Sequence, residues 1–349
     1  MLLKEFSKIS IYLMTVTLFA CNNSETVSNP QNEAELDNYL ETVMQRNNIV
    51  GASLMVLKNG APIKKSHLGK SSLQGDNITE QTTFQLASAT KFFTGTLAMI
   101  FVDRDSIALD DQLGDYLSDI PDNWKEIKLM QLLSHTSGLP RMLNPQTGEM
   151  LGSDLSETVA KTKAKESLSK AGEEWNYNQL GFYLVGQVLE RISGESWDSL
   201  LQKEIFIPLD MQNSSYSKNE KTAESYSIIN TEEPEPFQFD YLVKQAGGVH
   251  TTASDLTKFM KGLQANKLFS EKTRKVMWSK VELIDRSYAD YGLGWDMRTM
   301  NEEQTVGHSG GRKAVLTHFP DDEITVIFLT NTYGSDPIQY VSPIKSVFD

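Results

Sequence analysis

The sequence predicts an α+β sandwich: one antiparallel sheet drawn from both ends of the chain and flanked by helices, beside a mainly helical lobe. Three observations carry this. Strand-like runs at 50–57 and 62–68 lie near the start, joined through Lys58-Asn59-Gly60. Two apolar runs, 314–319 (AVLTHF) and 324–330 (ITVIFLT), lie near the end, linked by Pro320-Asp321-Asp322-Glu323. Between them, up to about residue 240, the hydrophobic spacing is mainly helical.

In chain order, residues 36–48 place Leu36, Leu40, Val43 and Met44 at the spacing of an amphipathic helix. Asn59-Gly60 predicts a tight hairpin, because both residues tolerate positive φ. Residues 84–104, rich in Phe, Leu and Ala, predict one buried helix. Turns follow at Pro121, Ser137-Gly138-Leu139-Pro140 and Pro208. Residues 231–237 (TEEPEPF) form an acidic, proline-interrupted loop that is expected on the surface and could border a cleft. Thr252-x-x-Asp255 carries a capping-box pattern at the head of another helix, and a last helix is expected over 336–347. The expected division is one domain over 36–347, with a sheet lobe (36–85 and 241–347) and a helical lobe (86–240). A cleft between two lobes is a usual place for a site.

Charge and cysteine usage exclude several functions. Of 349 residues, 33 are Lys or Arg and 46 are Asp or Glu, giving a net charge of −13. Neither a nucleic-acid backbone nor an anionic membrane surface attracts such a chain. A single cysteine, Cys21, rules out an internal disulfide framework and a Cys-based zinc cluster. No His pair has metal-ligand spacing, no H-E-x-x-H is present and no glycine-rich phosphate loop occurs, so no metal or cofactor is expected.

The first residues read as an export signal. Residues 9–20 (ISIYLMTVTLFA) are uncharged but too short to span ~30 Å of hydrocarbon. They fit the apolar region of a signal peptide over 1–20. Leu18-Phe19-Ala20-Cys21 resembles a bacterial lipobox, which implies lipidation of Cys21. Residues 21–35 then form a polar, flexible tether. The expectation is an exported lipoprotein, membrane-anchored in the bacterial cell envelope or periplasm.

Two serine motifs compete for the nucleophile. Ser-x-x-Lys puts an amine on the same helical face as a hydroxyl, and a desolvated lysine can take the serine proton. The pattern occurs at Ser88/Lys91, Ser167/Lys170, Ser215/Lys218 and Ser342/Lys345. Only Ser88 opens an apolar stretch, FQLASATKFFTGTLAMI, where burial would depress the lysine. The rival, Gly307-His308-Ser309-Gly310-Gly311, matches G-x-S-x-G. That elbow needs an acid and then a histidine downstream, whereas the last histidine, His318, precedes Asp321 and Asp322. Ser88 is the better nucleophile.

With these residues in place, the chain resembles the serine β-lactamase and penicillin-binding-protein superfamily, closest to its class C β-lactamase-related branch. Ser88-Ala89-Thr90-Lys91 matches the S-x-x-K element. Tyr177-Asn178-Gln179 stands where the branch has Tyr-x-Asn, and His308-Ser309-Gly310 where the family has Lys-Thr-Gly. LLSHTSGLP (132–140), QAGGVHTTASDL (245–256) and YGLGW (291–295) are further landmarks. The resemblance spans roughly 36–345 and implies the β-lactamase/D,D-peptidase-like fold.

It also implies acyl transfer through an acyl-enzyme on Ser88, with Lys91 and Tyr177 moving protons as one coupled group and His308 beside them. Backbone N–H groups of Ser88 and Gly311 would hold the oxyanion, and Ser309, Gly310 and Gln179 would contact substrate. Gln179 replaces the expected Asn beside Lys91, and His308 replaces a charged lysine. Arg312 and Lys313 lie near enough in sequence to restore positive charge. These departures favour ester or amide hydrolysis of an esterase or peptidase kind over β-lactamase or D,D-carboxypeptidase (penicillin-binding) activity. A third reading is an inactive, lipid-anchored binding protein. The expected partners are a small ester, amide or peptide substrate and, through the anchor, a membrane, with no nucleic acid. His135 is expected to be structural, in its SHTSG turn.

Overall fold

The computed structural model describes residues 28–144, 150–238 and 243–349. The signal and lipidation expectations on residues 1–20 and Cys21 lie outside them. Among the described residues no helix is long and apolar enough to cross a membrane.

The central sheet has five antiparallel strands: β1 (Gly51–Lys58), β2 (Ala61–Gly69), β3 (Val306–Gly310), β4 (Ala314–Phe319) and β5 (Ile324–Thr330), in the order β2-β1-β5-β4-β3. Strands from both chain ends meet where β1 pairs with β5, with Ala52 opposite Thr330 and Lys58 opposite Ile324. Pattern explains position. β4 and β5 are buried along their whole length, as continuous apolar runs require when both faces are covered. β2 (APIKKSHLG) is mostly exposed, and its lysines suit an edge. Asn59 and Gly60 both have positive φ, the tight turn that Asn-Gly predicted.

Alternation along the strands divides the core into two layers. Leu54, Val56, Val326 and Phe328 pack against Leu36, Leu40 and Val43 of helix α1 (Glu33–Arg46) and against Ile344. Met55, Leu57, Ile327 and Leu329 face a larger core that includes Phe92, Leu97, Phe259 and Trp295. The fold is therefore the expected α+β arrangement, with helices on both faces of an antiparallel sheet.

Three local expectations are corrected. Residues 84–104 are not one helix. Phe84–Gln85 form a short strand paired with His250–Thr251, Ala87–Ala89 a 3-10 turn, and only Thr90–Asp103 the helix α2. The last helix divides into a 3-10 turn, Pro337–Tyr340, and Val341–Lys345. Thr252 does cap its helix by accepting from Asp255 N at 3.0 Å, but the buried Asp255 carboxylate turns to Asn213 N and Ser214 instead of closing the box.

Candidate active site

The site is assembled where α2 meets the edge strand β3. Ala87 is held at φ +52°, a left-handed value that costs free energy in a residue with a Cβ, and it directly precedes Ser88. β3 approaches this turn so closely that a Cβ on Gly310 would lie 1.9 Å from Leu86 O. Beyond it, Gly311 (φ +53°) and Arg312 (φ +46°) lie in the three-residue turn 311–313, in which Lys313 N donates to Gly310 O at 3.0 Å. Among the described residues, neither Ser88 N–H nor Gly311 N–H donates to another backbone group. Two free donors thus meet at one corner, with the Ser88 hydroxyl beside them. That is what an oxyanion hole requires.

Lys91 is fully buried in the first turn of α2. Its amine donates to Ala246 O at 3.1 Å and lies 4.7 Å from the Tyr177 ring centroid and 5.5 Å from that of Phe182. Aromatic faces favour the cation, yet burial outweighs them and pulls the amine down to about 7. Burial also raises the part-buried Tyr177 phenol, with the Ser88 hydroxyl as its hydrogen-bonding neighbour pulling the other way. The phenol therefore remains a neutral donor while the amine can act as a base near neutrality.

Two histidines frame Tyr177, and both stay neutral. His135 is buried with its ring centroid 4.4 Å from that of Tyr177, and its Nδ1 accepts from Asn178 N at 3.0 Å. Burial first, then the Lys91 amine, hold it well below the ordinary imidazole range. Asn178 itself caps helix α3 (Gln179–Ser193) and donates to Leu139 O, which fixes the loop that presents Tyr177. His308 is held near 3, by burial first and then by Lys91. In its neutral form Nδ1–H donates to Ser309 O at 2.6 Å and Nε2 accepts from Tyr291 O–H at 2.8 Å. Both ring nitrogens are thus engaged by protein groups.

Ser88, Tyr177, Gln179, His308, Ser309 and Gly311 line one cleft of about 1070 Å³. Lys91 lies beneath Tyr177, and Gly310 packs under the Ser88 turn. Gln179 faces the cleft as the first residue of α3, while the hydrogen bond of Lys91 goes to Ala246 O rather than to Gln179. The expected compensating charge is absent: Arg312 is paired with Asp336, and Lys313 is buried against Gln85 and Ser225. Of the other Ser-x-x-Lys matches, Lys345 is clamped by Glu303, Asp322 and Asp349, and the Ser215 hydroxyl donates to Ser217 O. The acidic segment 231–237 borders the cleft through its last residue, Phe237, next to Gln238 in the wall. Sequence reasoning missed Tyr291, although YGLGW contains it, and it missed the Asp296–Arg298 pair.

Comparison with known proteins decides the family. The Beta-lactamase family model matches residues 36–341, nearly the whole described chain. The chain belongs to the beta-lactamase family. Among relatives of this family member, Penicillin-binding protein 4* of Bacillus subtilis (strain 168) is 24% identical over 283 residues, covering 73% of this chain and 62% of its own length. Penicillin-binding protein 4 of Amycolatopsis lactamdurans is 24% identical over 338 residues, 86% of each chain. The family member thus spans less than two thirds of the Bacillus relative. Similar solved folds include the octameric penicillin-binding protein homologue from Pyrococcus abyssi (TM-score 0.78, 22% identity, 90% of this chain and 80% of that one). Another is EstCE1, a hydrolase with promiscuous acyltransferase activity (TM-score 0.76, 20% identity, 90% and 99%). A class C beta-lactamase also matches (TM-score 0.76, 21% identity, 90% and 96%).

Proposed function

We propose that this chain is a serine hydrolase that cleaves ester or amide bonds, of an esterase or peptidase kind, through an acyl-enzyme on Ser88. The observation that carries the reading is the buried Lys91, brought near neutrality beside Tyr177 and Ser88, with two free N–H groups at the same corner. Ser88 Oγ attacks the carbonyl carbon while its proton passes to the Lys91–Tyr177 pair. The carbonyl oxygen takes the negative charge and rests on the N–H groups of Ser88 and Gly311. Collapse breaks the bond to the leaving alcohol or amine, which takes the proton back. Water, deprotonated by the same pair, then releases the acid and restores Ser88. His308 serves this cycle as a fixed neutral wall, since its nitrogens are already engaged.

The test is intact-mass analysis after exposure to a fluorophosphonate, for wild type, Ser88→Ala and Ser309→Ala. We expect labelling to vanish only in Ser88→Ala. Loss only in Ser309→Ala would move the nucleophile to β3 and overturn the reading.

The names of the two penicillin-binding relatives favour a second reading, acylation by penicillin at the same serine. A persistent penicillin adduct on Ser88, without hydrolysis of simple esters, would select it. The anchoring proposal is separate: Cys21 carries a lipid that holds the chain in a bacterial envelope membrane. Cys21→Ser should release the protein to the soluble fraction, and unchanged membrane association would refute the anchor.

A further inference from the structure

The cleft has an unusual balance of charge and apolar surface. Among the described residues its two lining arginines are already paired. Arg298 Nε donates to Asp296 at 3.0 Å, and Arg312 Nε donates to both carboxylate oxygens of Asp336 at 2.9 Å. Besides Asp296, the lining carboxylate Asp290 is paired with Lys280. Lys91 is buried behind Tyr177 and His308 is neutral. A ligand carboxylate placed beside either arginine would therefore sit against a resident carboxylate, and like charges there cost affinity. The net charge of −13 also disfavours the approach of an anion.

One wall of the same cleft is apolar and open to solvent. Trp175 is 43% exposed and Tyr288 60% exposed, and Leu283 lies on the same lining. Trp175 stands at the reaction centre, its ring centroid 6.2 Å from that of Tyr177 and 6.3 Å from that of Tyr291. The Tyr288 loop is held in place: Ile284 N donates to Gly172 O at 2.9 Å and Leu283 N to Ser287 O at 2.8 Å. Large aromatic side chains that are ordered, exposed and adjacent to a cleft bind apolar groups, because covering them removes apolar area from water.

Resting on the hydrolase reading for its chemistry, we propose that the substrate is a neutral ester or amide with a large apolar group next to the scissile bond, seated on the Trp175–Leu283–Tyr288 wall, and without a carboxylate. Binding is tested apart from turnover, by titration calorimetry on Ser88→Ala with two probes of similar length. One is neutral, N-butyl-4-phenylbutanamide; the other bears a carboxylate, the mono-N-butyl amide of adipic acid. The neutral phenyl probe should bind at least ~30-fold more tightly, and Trp175→Ala or Tyr288→Ala in the same background should compress that ratio about fivefold or more. Equal or tighter binding of the carboxylate probe overturns the proposal, as does a phenyl preference that neither aromatic substitution alters. In wild type, ethyl 4-phenylbutyrate or 4-phenylbutyl acetate should then be hydrolysed at least ~30-fold faster, by kcat/KM, than ethyl acetate. Tight neutral binding without hydrolysis of any ester would refute the hydrolase reading and leave the substrate-shape proposal standing. Hydrolysis without the phenyl preference would do the reverse.

Discussion

Two serine–lysine arrangements lie near the Gly311 turn, where a Cβ on Gly311 would meet both Ala87 and the Lys313 side chain. Lys91 and Lys313 are both fully buried, both are pulled to about 7 by burial, and neither is paired with a carboxylate among the described residues. The Lys313 amine donates to Ser225 Oγ at 3.2 Å and to Gln85 Oε1 at 3.1 Å, whereas among the described residues the hydrogen bond of Lys91 goes to Ala246 O. Ser225 even lines a second cavity, of about 570 Å³, which shares Phe237 and Gln238 with the main cleft. Around Ser88, however, stand a phenol to relay protons and two free backbone donors. The second pair has a side-chain amide as its third member. A depressed lysine beside a serine marks a candidate; donors for the developing negative charge are what make it a catalyst.

The largest test of that contrast is removal of each hydroxyl. Ser88→Ala should lower ester hydrolysis by about 10⁴-fold or more, as loss of a nucleophile does elsewhere. Ser225→Ala should stay within about threefold of wild type. Mapping the fluorophosphonate adduct to Ser225 would break the comparison, because a lysine in hydrogen-bond reach would then suffice for reactivity. Lys91→Met should cost about 10²–10⁴-fold, the usual worth of a positioned base. In wild type, the acid limb of kcat/KM should follow loss of the Lys91 proton, so the rate rises as pH climbs through about 7. Raised by burial, Tyr177 should add no fall below pH 10, and His308, neutral above about 3, should leave no mark near neutrality. A flat profile between pH 6 and 8 would remove Lys91 from the role of base.

The lysines also read out in stability. Each has a folded pKa of about 7 against an ordinary 10.5, so between those values the unfolded chain binds more protons and stability rises with pH. Below about 7 the full burial cost is present. Lys313→Met removes one such cost and also removes the hydrogen bonds that Lys313 donates to Gln85 and Ser225. The desolvation term is the larger, so we expect a gain of about 1–3 kcal/mol at pH 6, shrinking as pH approaches 10. Urea unfolding across that range measures it. Destabilisation at pH 6 would show that the ties to Gln85 and Ser225 outweigh desolvation.

The sheet was legible in the sequence because its signals are local. β4 and β5 read as uninterrupted apolar runs, and Asn59-Gly60 marks a turn by its own conformational freedom. The Ser88 turn was not legible as a turn. Phe84-Gln85 extend because they pair with His250-Thr251, more than 160 residues away, and nothing nearby in the chain announces it. Ordered motifs brought Ser88, Lys91, Tyr177 and His308 forward. They could not show that His308 is engaged on both nitrogens, because its partner Tyr291 lies in another motif. The paired state of Arg312 was equally hidden, since Asp336 meets it only through the fold.

The smallest effect bears on why Lys91 differs from Lys313 at all. Two side chains of α2, one turn apart, grip the same short helix α4 (Lys244–Gly247): Lys91 donates to Ala246 O, and Thr94 Oγ1 donates to Gln245 O at 2.7 Å. Thr94→Val keeps the shape but leaves the Gln245 carbonyl without that donor, which should cost about 1–2 kcal/mol in urea unfolding. If burial alone sets the basicity of Lys91, activity should stay within about threefold and the acid limb should not move. A hundredfold loss with folding intact would mean that the amine must be held at Ala246 as well as desolvated. The Lys313 amine, bonded among the described residues to side chains and not to a backbone carbonyl, would then lack the second requirement too.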